Sequence, residues 1–71
     1  MKRITVRSSS LHALGYDPDA RALEVEFSSG AIYRYEQVPA EVVAELLAAE
    51  SLGRYFNRVF KARGFPYQRL D

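Results

Sequence analysis

The sequence of 71 residues contains no cysteine, no tryptophan and a single histidine, His12. The absence of cysteine excludes disulfide bonds, thiol catalysis and thiolate metal sites. One histidine is too few for a histidine-based zinc site, and no arrangement of carboxylates replaces it. No stretch approaches the roughly eighteen apolar residues of a membrane span, and the start, MKRITV, lacks the apolar run of a signal peptide. We therefore predict a cytoplasmic protein with no metal, no cofactor and no membrane contact.

Signatures of catalysis are missing as well. The serine run at residues 8–10 has no Gly-x-Ser-x-Gly elbow, and His12 alone does not make a catalytic triad. Glu24 and Glu26 are predicted on one exposed strand face, where solvent and Arg34 keep both carboxylates ionised. General acid–base catalysis at neutral pH needs a carboxyl group with a raised pKa. We therefore predict that the protein is not an enzyme.

The composition suits one small domain with a single core. Apolar residues make up 48% of the chain, nine residues are aromatic, and no repeat or linker divides residues 1–71. The formal net charge is +1, but it is unevenly spread. Residues 17–50 contain eight acidic and two basic residues, whereas residues 51–71 contain five basic residues and one acidic residue. Because local fields follow local charge, the small total does not exclude an anionic partner.

Three strands are predicted from alternating apolar and polar residues and from a Tyr-x-Tyr sequence. They lie at residues 11–16, 23–27 and 33–35. An Asp-Pro-Asp turn joins the first two, because proline presets the backbone angle and aspartate binds nearby amides. Ile4 and Val6 also alternate and are interpreted as an extension of the first strand ahead of the serine run.

Two turn lengths are compatible with the second predicted hairpin. A two-residue turn ending at Gly30 would place Val25 opposite Arg34. A three-residue turn ending at Gly30 places Val25 opposite Tyr33 and Glu24 opposite Arg34. Opposite-charge and aromatic–β-branched pairs each contribute about 0.2–1 kcal/mol, and glycine then occupies the left-handed position. We therefore predict the three-residue turn.

Two helices are predicted after the strands. A Val-Pro sequence ends the third strand, and residues 40–50 are rich in alanine, leucine and glutamate. The apolar face of this helix consists of Val42, Val43, Leu46, Leu47 and Ala49. A second helix is predicted from residue 52 to about residue 62, with Ser51 as its N-cap and Gly64 as its C-terminal cap. Residues 65–71 are predicted to form an extended, loosely packed tail.

These elements predict an α+β fold, in which a three-stranded antiparallel β-meander is followed by two α-helices packed on one sheet face. Tyr55 and Phe56 are interpreted as the contact that locks the second helix to the sheet. The predicted core consists of Leu14, Tyr16, Leu23, Val25, Phe27, Tyr33, Tyr35, Val42, Leu46, Leu47, Tyr55, Phe56, Val59 and Phe60.

The second predicted helix separates basic from aromatic side chains. At 100° per residue, Arg54, Arg58 and Lys61 fall within a stripe about 60° wide, opposite the apolar face. Asn57 flanks this stripe, and Arg63 extends it along the chain. Spaced guanidinium and ammonium groups match the phosphates of a nucleic acid. The alternative is a solvated face whose cations complement the C-terminal end of the helix dipole.

The strand Tyr33, Arg34, Tyr35 is a weaker candidate for contact with nucleic acid. Aromatic side chains on a sheet stack on bases, at about 1–3 kcal/mol per base, and a neighbouring arginine binds phosphate. The alternative places both tyrosines in the core with their hydroxyls at its rim. The burial of aromatic residues in small cores favours the second interpretation.

Residues 29–57, SGAIYRYEQVPAEVVAELLAAESLGRYFN, combine a tight turn, a Tyr-x-Tyr strand, a Val-Pro helix start and a helix that opens with Tyr-Phe-Asn. With the upstream Leu-Gly-Tyr-Asp and Leu-Glu-Val-Glu-Phe, this order resembles the KTSC domain, a short module found alone in bacteria and at the C-terminus of some lysyl-tRNA synthetases. The resemblance covers about residues 9–61 and leaves residues 62–71 as a C-terminal tail. It implies the RNA-binding role usually suggested for that family, with tRNA-like RNA as the partner.

Two functions are therefore predicted as alternatives. The first is a small non-catalytic domain that binds RNA weakly through the basic face of its second helix. Three or four phosphate contacts would give a log–log salt slope of about −2 to −4. The second is a protein-interaction or self-association module that uses the acidic first helix or an exposed strand edge.

Overall fold

The computed structural model describes residues 3–71, so the first two residues of the predicted domain lie outside it. Within that range the chain forms an antiparallel sheet of five strands, which lie side by side in chain order. The strands are β1 Arg3–Thr5, β2 Leu11–Asp17, β3 Ala22–Phe27, β4 Ile32–Tyr35 and β5 Tyr67–Arg69. The helices lie between β4 and β5 in the sequence.

The α+β class with two helices is confirmed, but the prediction of three strands is wrong. β1 does not extend β2, because the chain reverses between them and Ile4 pairs with Leu14. β5 returns beside β4 after the helices, with Tyr67 opposite Tyr35. Both additional strands are three residues long and consist of exposed residues, so neither has the alternating burial that a sequence pattern detects. β1 and β5 are strands because they pair with the longer strands β2 and β4.

The hairpin between β3 and β4 has the predicted register. Val25 lies opposite Tyr33, and Glu24 lies opposite Arg34. Gly30 has a φ of 98°, in the left-handed region where a residue with a Cβ atom would be strained. The three-residue turn is therefore confirmed, and the two tyrosines of β4 face the helices.

Helix α1 spans Ala40–Ala48 and follows Pro39, whose missing N–H leaves no donor unsatisfied at a helix start. Two hydrogen bonds at Val38 fix the corner before it. The Val38 amide donates to the carbonyl of Arg21 at 2.8 Å, and the Val38 carbonyl accepts from the hydroxyl of Tyr16 at 2.6 Å. These bonds tie the start of α1 to the edge of the β2–β3 hairpin.

The second helical segment, residues 52–63, is not a uniform α-helix. It consists of α2 at Leu52–Tyr55, a π-helical turn at Phe56–Phe60 and a 3₁₀ turn at Lys61–Arg63. Ser51 caps it as predicted, since its hydroxyl accepts a hydrogen bond from a first-turn amide at 3.4 Å. Gly64 ends it with a left-handed φ of 71°, which confirms the predicted C-terminal cap.

One hydrophobic cluster fills the space between the sheet and the helices. Tyr16, Phe27, Tyr33 and Tyr55 pack against it and are half-buried. Its buried members are Leu11, Leu14, Leu23, Val25, Tyr35, Val38, Val42, Val43, Leu46, Leu52, Phe56 and Phe60. The largest fully buried side chains are Phe56 and Phe60, so the second helical segment anchors the core through its aromatic side.

Two predicted core residues are exposed, and the prediction was wrong for both. Leu47 is 47% exposed and Val59 is 38% exposed. A π-helical turn closes on i→i+5 hydrogen bonds and therefore rotates less per residue than an α-helix. Phe56 and Phe60, four positions apart, still share the buried face, while Val59 rotates toward solvent. Leu47, in the last turn of α1, borders a shallow surface groove that the exposed Ile4 of β1 also lines.

Candidate nucleic-acid interface

The exposed face of the second helical segment carries most of the predicted binding residues. Arg54, Asn57, Arg58 and Lys61 are all exposed. Within residues 3–71, no carboxylate oxygen lies within 4.0 Å of a side-chain nitrogen of Arg54, Arg58 or Lys61. These three positive charges therefore face solvent without an acidic partner.

The π-helical turn divides this set between two grooves. Arg54, Asn57 and Arg58 line a groove that they share with the loop between β1 and β2, whereas Lys61 lines a second groove near the end of the segment. The ammonium nitrogen of Lys61 lies 5.8 Å from the ring centroid of Phe56. The predicted stripe assumed 100° per residue throughout, and the smaller rotation in the π-helical turn directs Lys61 away from Arg54.

The first groove is a pocket of about 530 Å³, which we name the serine–arginine pocket. It is lined by residues 7–10, 50–54, 57 and 58.

Arg7 joins Arg54 and Arg58 in this pocket, although it belongs to the loop between β1 and β2. Arg7 is exposed, and in the described part of the chain no carboxylate oxygen approaches its guanidinium within 4.0 Å. Sequence reasoning missed Arg7 because the reversal that carries it to the second helical segment was not predicted.

Gly53 brings the two walls of the serine–arginine pocket into contact. A Cβ atom at Gly53 would lie 2.8 Å from Ser8 Oγ and 2.8 Å from Ser10 Oγ, so a larger residue would require both serine side chains to move. Ser8 Oγ accepts hydrogen bonds from the amides of Ser10 at 3.2 Å and Leu11 at 3.3 Å. The Ser10 carbonyl accepts from the amide of Ser28 at 2.9 Å. The protein therefore fixes the serine loop without help from a ligand.

Arg63 lies outside the serine–arginine pocket and has an acidic partner. Its guanidinium lies 3.9 Å from Glu45 Oε1, and both side chains are exposed. The same carboxylate oxygen accepts a hydrogen bond from the hydroxyl of Tyr55 at 3.0 Å. Desolvation and this hydrogen bond raise the pKa of the Tyr55 hydroxyl, while Arg63 lowers it. The structure does not bring Arg63 together with Arg54 and Arg58, and Glu45 offsets part of its charge.

The second groove, which we name the aromatic groove, has a volume of about 700 Å³. Its side-chain lining includes Tyr33, Tyr35, Phe60, Lys61, Phe65, Tyr67 and Arg69. Tyr35 is only 7% exposed and packs edge-on against Phe60, with ring centroids 5.0 Å apart. Burial, with smaller contributions from Tyr67 and Tyr33, raises the pKa of Tyr35 to about 12. Tyr35 is thus a core residue, while the half-buried Tyr33 borders the open part of the groove.

Arg34 lies on the opposite sheet face from Tyr33 and Tyr35, because successive side chains of a strand alternate. Its Nε atom lies 2.6 Å from Glu36 Oε1, and another guanidinium nitrogen lies 3.7 Å from Glu24 Oε2. The hydrogen bond to Glu36 and the charge of that carboxylate raise the pKa of the Arg34 guanidinium. The structure does not bring Arg34 together with the tyrosines, and two carboxylates offset its charge.

Glu24 and Glu26 of the outer sheet face both lie near a positive charge. Arg3 lies 3.8 Å from Glu24 and 3.6 Å from Glu26, so both carboxylates face an arginine. Among residues 3–71, no group of three or more histidine, aspartate or glutamate side chains is placed to hold a metal ion. In the same range, none of the helices combines the length and apolar composition needed to cross a membrane.

Comparison with known proteins identifies a relative of the same length as this chain and longer relatives that contain a similar segment. The KTSC domain model matches residues 7–65. A protein of Stutzerimonas stutzeri (strain A1501) is 63% identical over 71 residues, and the alignment covers 100% of this chain and 100% of that protein. The lysine–tRNA ligase of Nostoc sp. (strain PCC 7120) is 42% identical over 63 residues, which are 89% of this chain and 11% of the ligase.

A solved structure shares the whole fold. The crystal structure of a KTSC domain protein from Yersinia pestis matches with a TM-score of 0.92 at 36% identity, over 99% of this chain and 97% of that chain. The family model spans the serine loop, the central hairpin and both helices, which together form the core and the serine–arginine pocket. The predicted resemblance is therefore confirmed, and the chain belongs to the KTSC domain family.

Proposed function

We propose that this chain is a single-domain, non-catalytic module, residues 1–71, that binds RNA weakly through the exposed face of its second helical segment. The observation that carries the proposal is the exposure of Arg54, Arg58 and Lys61 without a carboxylate partner within residues 3–71. Unpaired cations on a rigid surface attract phosphates and release condensed counterions when they bind. Asn57 adds a polar group between them.

A tRNA-like partner is supported by the relatives that contain a similar segment. Three cyanobacterial proteins named lysine–tRNA ligase match 79–89% of this chain. A module that binds phosphates without reading sequence would raise the local concentration of RNA near a partner enzyme. A tRNA partner also implies a location in the cytoplasm.

The non-catalytic character is supported by the way the polar side chains are used. Glu24 and Glu26 lie near arginines, and the Ser8 hydroxyl accepts two backbone hydrogen bonds within its loop. His12 is exposed on β2 and lines neither the serine–arginine pocket nor the aromatic groove. These groups hold the fold together or face solvent, and none of them is placed beside a nucleophile in a groove.

The test is a fluorescence-anisotropy titration of labelled tRNA and of mixed-sequence RNA at low salt. The wild type is compared with a variant in which Arg54, Arg58 and Lys61 are each replaced by glutamate. We expect measurable binding by the wild type, with a log–log salt slope of about −2 to −4, and its loss in the variant. Superimposable curves for the two proteins would rule out this function.

A matched control separates a local effect from a change in net charge. Arg58→Gln and Arg21→Gln each remove one positive charge from an exposed residue, and Arg21 lines neither the serine–arginine pocket nor the aromatic groove. Glutamine suits position 21, since Gln37 adopts a similar positive φ of 60° in the same chain. RNA affinity should fall with Arg58→Gln and stay nearly constant with Arg21→Gln. Thermal unfolding of both variants checks that the fold is retained.

A second candidate is self-association or binding of a protein partner, and one surface feature favours it. Ile4 is 52% exposed and Leu47 is 47% exposed, and both line a shallow groove of about 200 Å³ between β1 and α1. Against it, the edge strands carry Arg3 and Arg69, and charged residues discourage strand addition. Sedimentation velocity over a range of concentrations in high salt tests this candidate, because an apolar contact persists where phosphate binding is screened.

A further inference from the structure

We propose that the serine–arginine pocket is a specific binding site for one phosphate group. The identification of RNA as the carrier of that phosphate rests on the function proposed above, whereas the pocket itself rests on its own geometry. Two segments that are distant in sequence enclose it, the loop that carries Arg7 and the segment that carries Arg54 and Arg58. The arginines of this open groove therefore come from two separate segments and not from one helix face.

The net charge of the residues that line the pocket favours binding of an anion. Three arginines and one glutamate, Glu50, line the pocket, which gives a net charge of +2. Across the described residues, no carboxylate oxygen lies within 4.0 Å of the guanidinium groups of Arg7, Arg54 or Arg58. By contrast Arg3, Arg34 and Arg63 each have an acidic partner within that distance. Of the four arginines without such a partner in the described residues, three line this pocket, and the fourth is Arg21.

The chemistry of the lining suits a phosphate group. Guanidinium groups donate paired hydrogen bonds to phosphate oxygens, and serine hydroxyls add neutral donors. Ser8 Oγ accepts from two amides and lies 3.4 Å from Ser10 Oγ, so Ser8 is the donor in that pair and the hydroxyl hydrogen of Ser10 is left for a ligand. The pocket volume of about 530 Å³ leaves space for the ester group that carries the phosphate.

The pocket is also preformed, which lowers the cost of ordering on binding. The close contact between Gly53 and the hydroxyls of Ser8 and Ser10 sets the separation of the two walls. The hydroxyl of Ser28 donates to the carbonyl of Ser9 at 3.1 Å, which fastens the serine loop to the end of β3. A ligand therefore meets a fixed backbone and needs to order only the arginine side chains.

The central test compares Arg7 variants of the full chain, because Arg7 belongs to the pocket but not to the second helical segment. The probe is a short single-stranded RNA with a fluorescent label at its 3′ end. Arg7→Gln should weaken binding about tenfold, and Arg21→Gln, with the same change in net charge, less than about twofold. Arg7→Lys keeps the charge but loses the paired donors, and it should weaken binding by an intermediate factor. Equal affinities for Arg7→Gln and Arg21→Gln would overturn the assignment of an RNA phosphate to the pocket while leaving RNA binding by the helix intact.

The same RNA with and without a 5′-phosphate distinguishes the two sources of the group. Tighter binding of the phosphorylated RNA that depends on Arg7 assigns the pocket to a terminal phosphate. Equal binding of both RNAs, again dependent on Arg7, assigns it to a phosphate within the chain.

A second measurement does not depend on RNA. Inorganic phosphate is titrated into isotope-labelled protein, with chloride at matched ionic strength as the control. Phosphate-specific shifts of the Ser9 and Gly53 amide signals, reduced in Arg7→Gln, would support the pocket even if no RNA bound. Identical responses to phosphate and chloride, together with no effect of Arg7→Gln on RNA, would overturn the proposal.

Discussion

A Cβ atom at Gly53 would lie 2.8 Å from Ser10 Oγ, so the helix backbone and the serine loop are in contact with no room for a side chain between them. This contact joins β1–β2 to the second helical segment. Arg7 on one side of this contact and Arg54 on the other line the serine–arginine pocket. The stability of the domain and the shape of its candidate site therefore depend on the same glycine.

Gly53→Ala is expected to destabilise the protein, although alanine is the better helix former. Alanine stabilises a helix by about 1 kcal/mol relative to glycine. The new Cβ would displace Ser8 Oγ, which accepts two backbone hydrogen bonds worth about 0.5–1.5 kcal/mol each, and would also displace Ser10 Oγ. We expect a net loss of about 1 kcal/mol and a fall in Tm of roughly 4–8 °C, measured by circular dichroism.

A background without the two hydroxyls is the control for Gly53→Ala. In Ser8→Ala/Ser10→Ala the atoms that the new Cβ would meet are absent, so the substitution should become neutral or stabilising. The two effects are therefore expected to be strongly non-additive. A Tm penalty for Gly53→Ala of the same size in both backgrounds would show that the contact has no energetic consequence.

Phe56→Ala and Val59→Ala are expected to differ greatly, although the residues are three positions apart. Phe56 is fully buried and packs against Phe60, with ring centroids 4.9 Å apart, and edge-on against Tyr35 at 5.8 Å. Its removal should cost about 3–5 kcal/mol, comparable to the whole stability of a small domain. Val59 is 38% exposed, so Val59→Ala should cost less than about 1 kcal/mol. Urea unfolding with similar midpoint shifts for both variants would contradict the π-helical arrangement.

The stability of the domain is expected to fall at alkaline pH because of Tyr35. Burial raises the pKa of Tyr35 to about 12, against about 10 in an unfolded chain. The folded state holds this proton to higher pH, so the stabilisation is complete below about pH 10 and is lost between about pH 10 and pH 12. The loss amounts to about 2–3 kcal/mol at the upper end of that range, measured by urea unfolding at several pH values.

Tyr35→Phe is the control for this titration, because it retains the ring and removes the ionising hydroxyl. The free energy of unfolding of Tyr35→Phe should therefore decrease less steeply with pH in the alkaline range than that of the wild type. The same pH dependence in both proteins would assign the alkaline loss to other groups.

The parts of the fold that were predicted correctly depend on neighbours in sequence. Gly30 closes the central hairpin, and Ser51 and Gly64 delimit the second helical segment through their own backbone and side-chain geometry. β1 and β5 could not be predicted in this way, since short exposed strands acquire their structure by pairing with a longer strand. The π-helical turn has no local signal either. Its buried rings, Phe56 and Phe60, pack edge-on against Tyr35 of β4, which is a contact that only the folded chain makes.

The same distinction between local and long-range contacts applies to the candidate site. Helical periodicity was enough to predict that Arg54 and Arg58, which are close in sequence, are exposed on one face. It could not reveal that Arg7 shares their pocket, that Lys61 lines the other groove or that Arg63 pairs with Glu45. Each of these relationships joins segments that only the folded chain brings together.

The division of the basic residues between two grooves leads to a prediction about pairs of substitutions. Arg7 and Arg58 line one pocket, so on the phosphate-site proposal they contact the same group. Once Arg7→Gln has released that group, removing Arg58 as well should cost less than it does alone. We expect a coupling free energy of about 0.5–3 kcal/mol for Arg7→Gln and Arg58→Gln, measured by RNA titrations of the two single variants and the double variant.

Lys61 provides the comparison for that cycle, because it lines the aromatic groove and would contact a different phosphate. The effects of Arg7→Gln and Lys61→Gln on the free energy of RNA binding should add within about 0.5 kcal/mol. Each substitution should also reduce the steepness of the log–log salt dependence by about one phosphate contact. Equal coupling of Arg7 to Arg58 and to Lys61 would indicate one continuous basic surface, and the π-helical turn would then have no role in separating two phosphate positions.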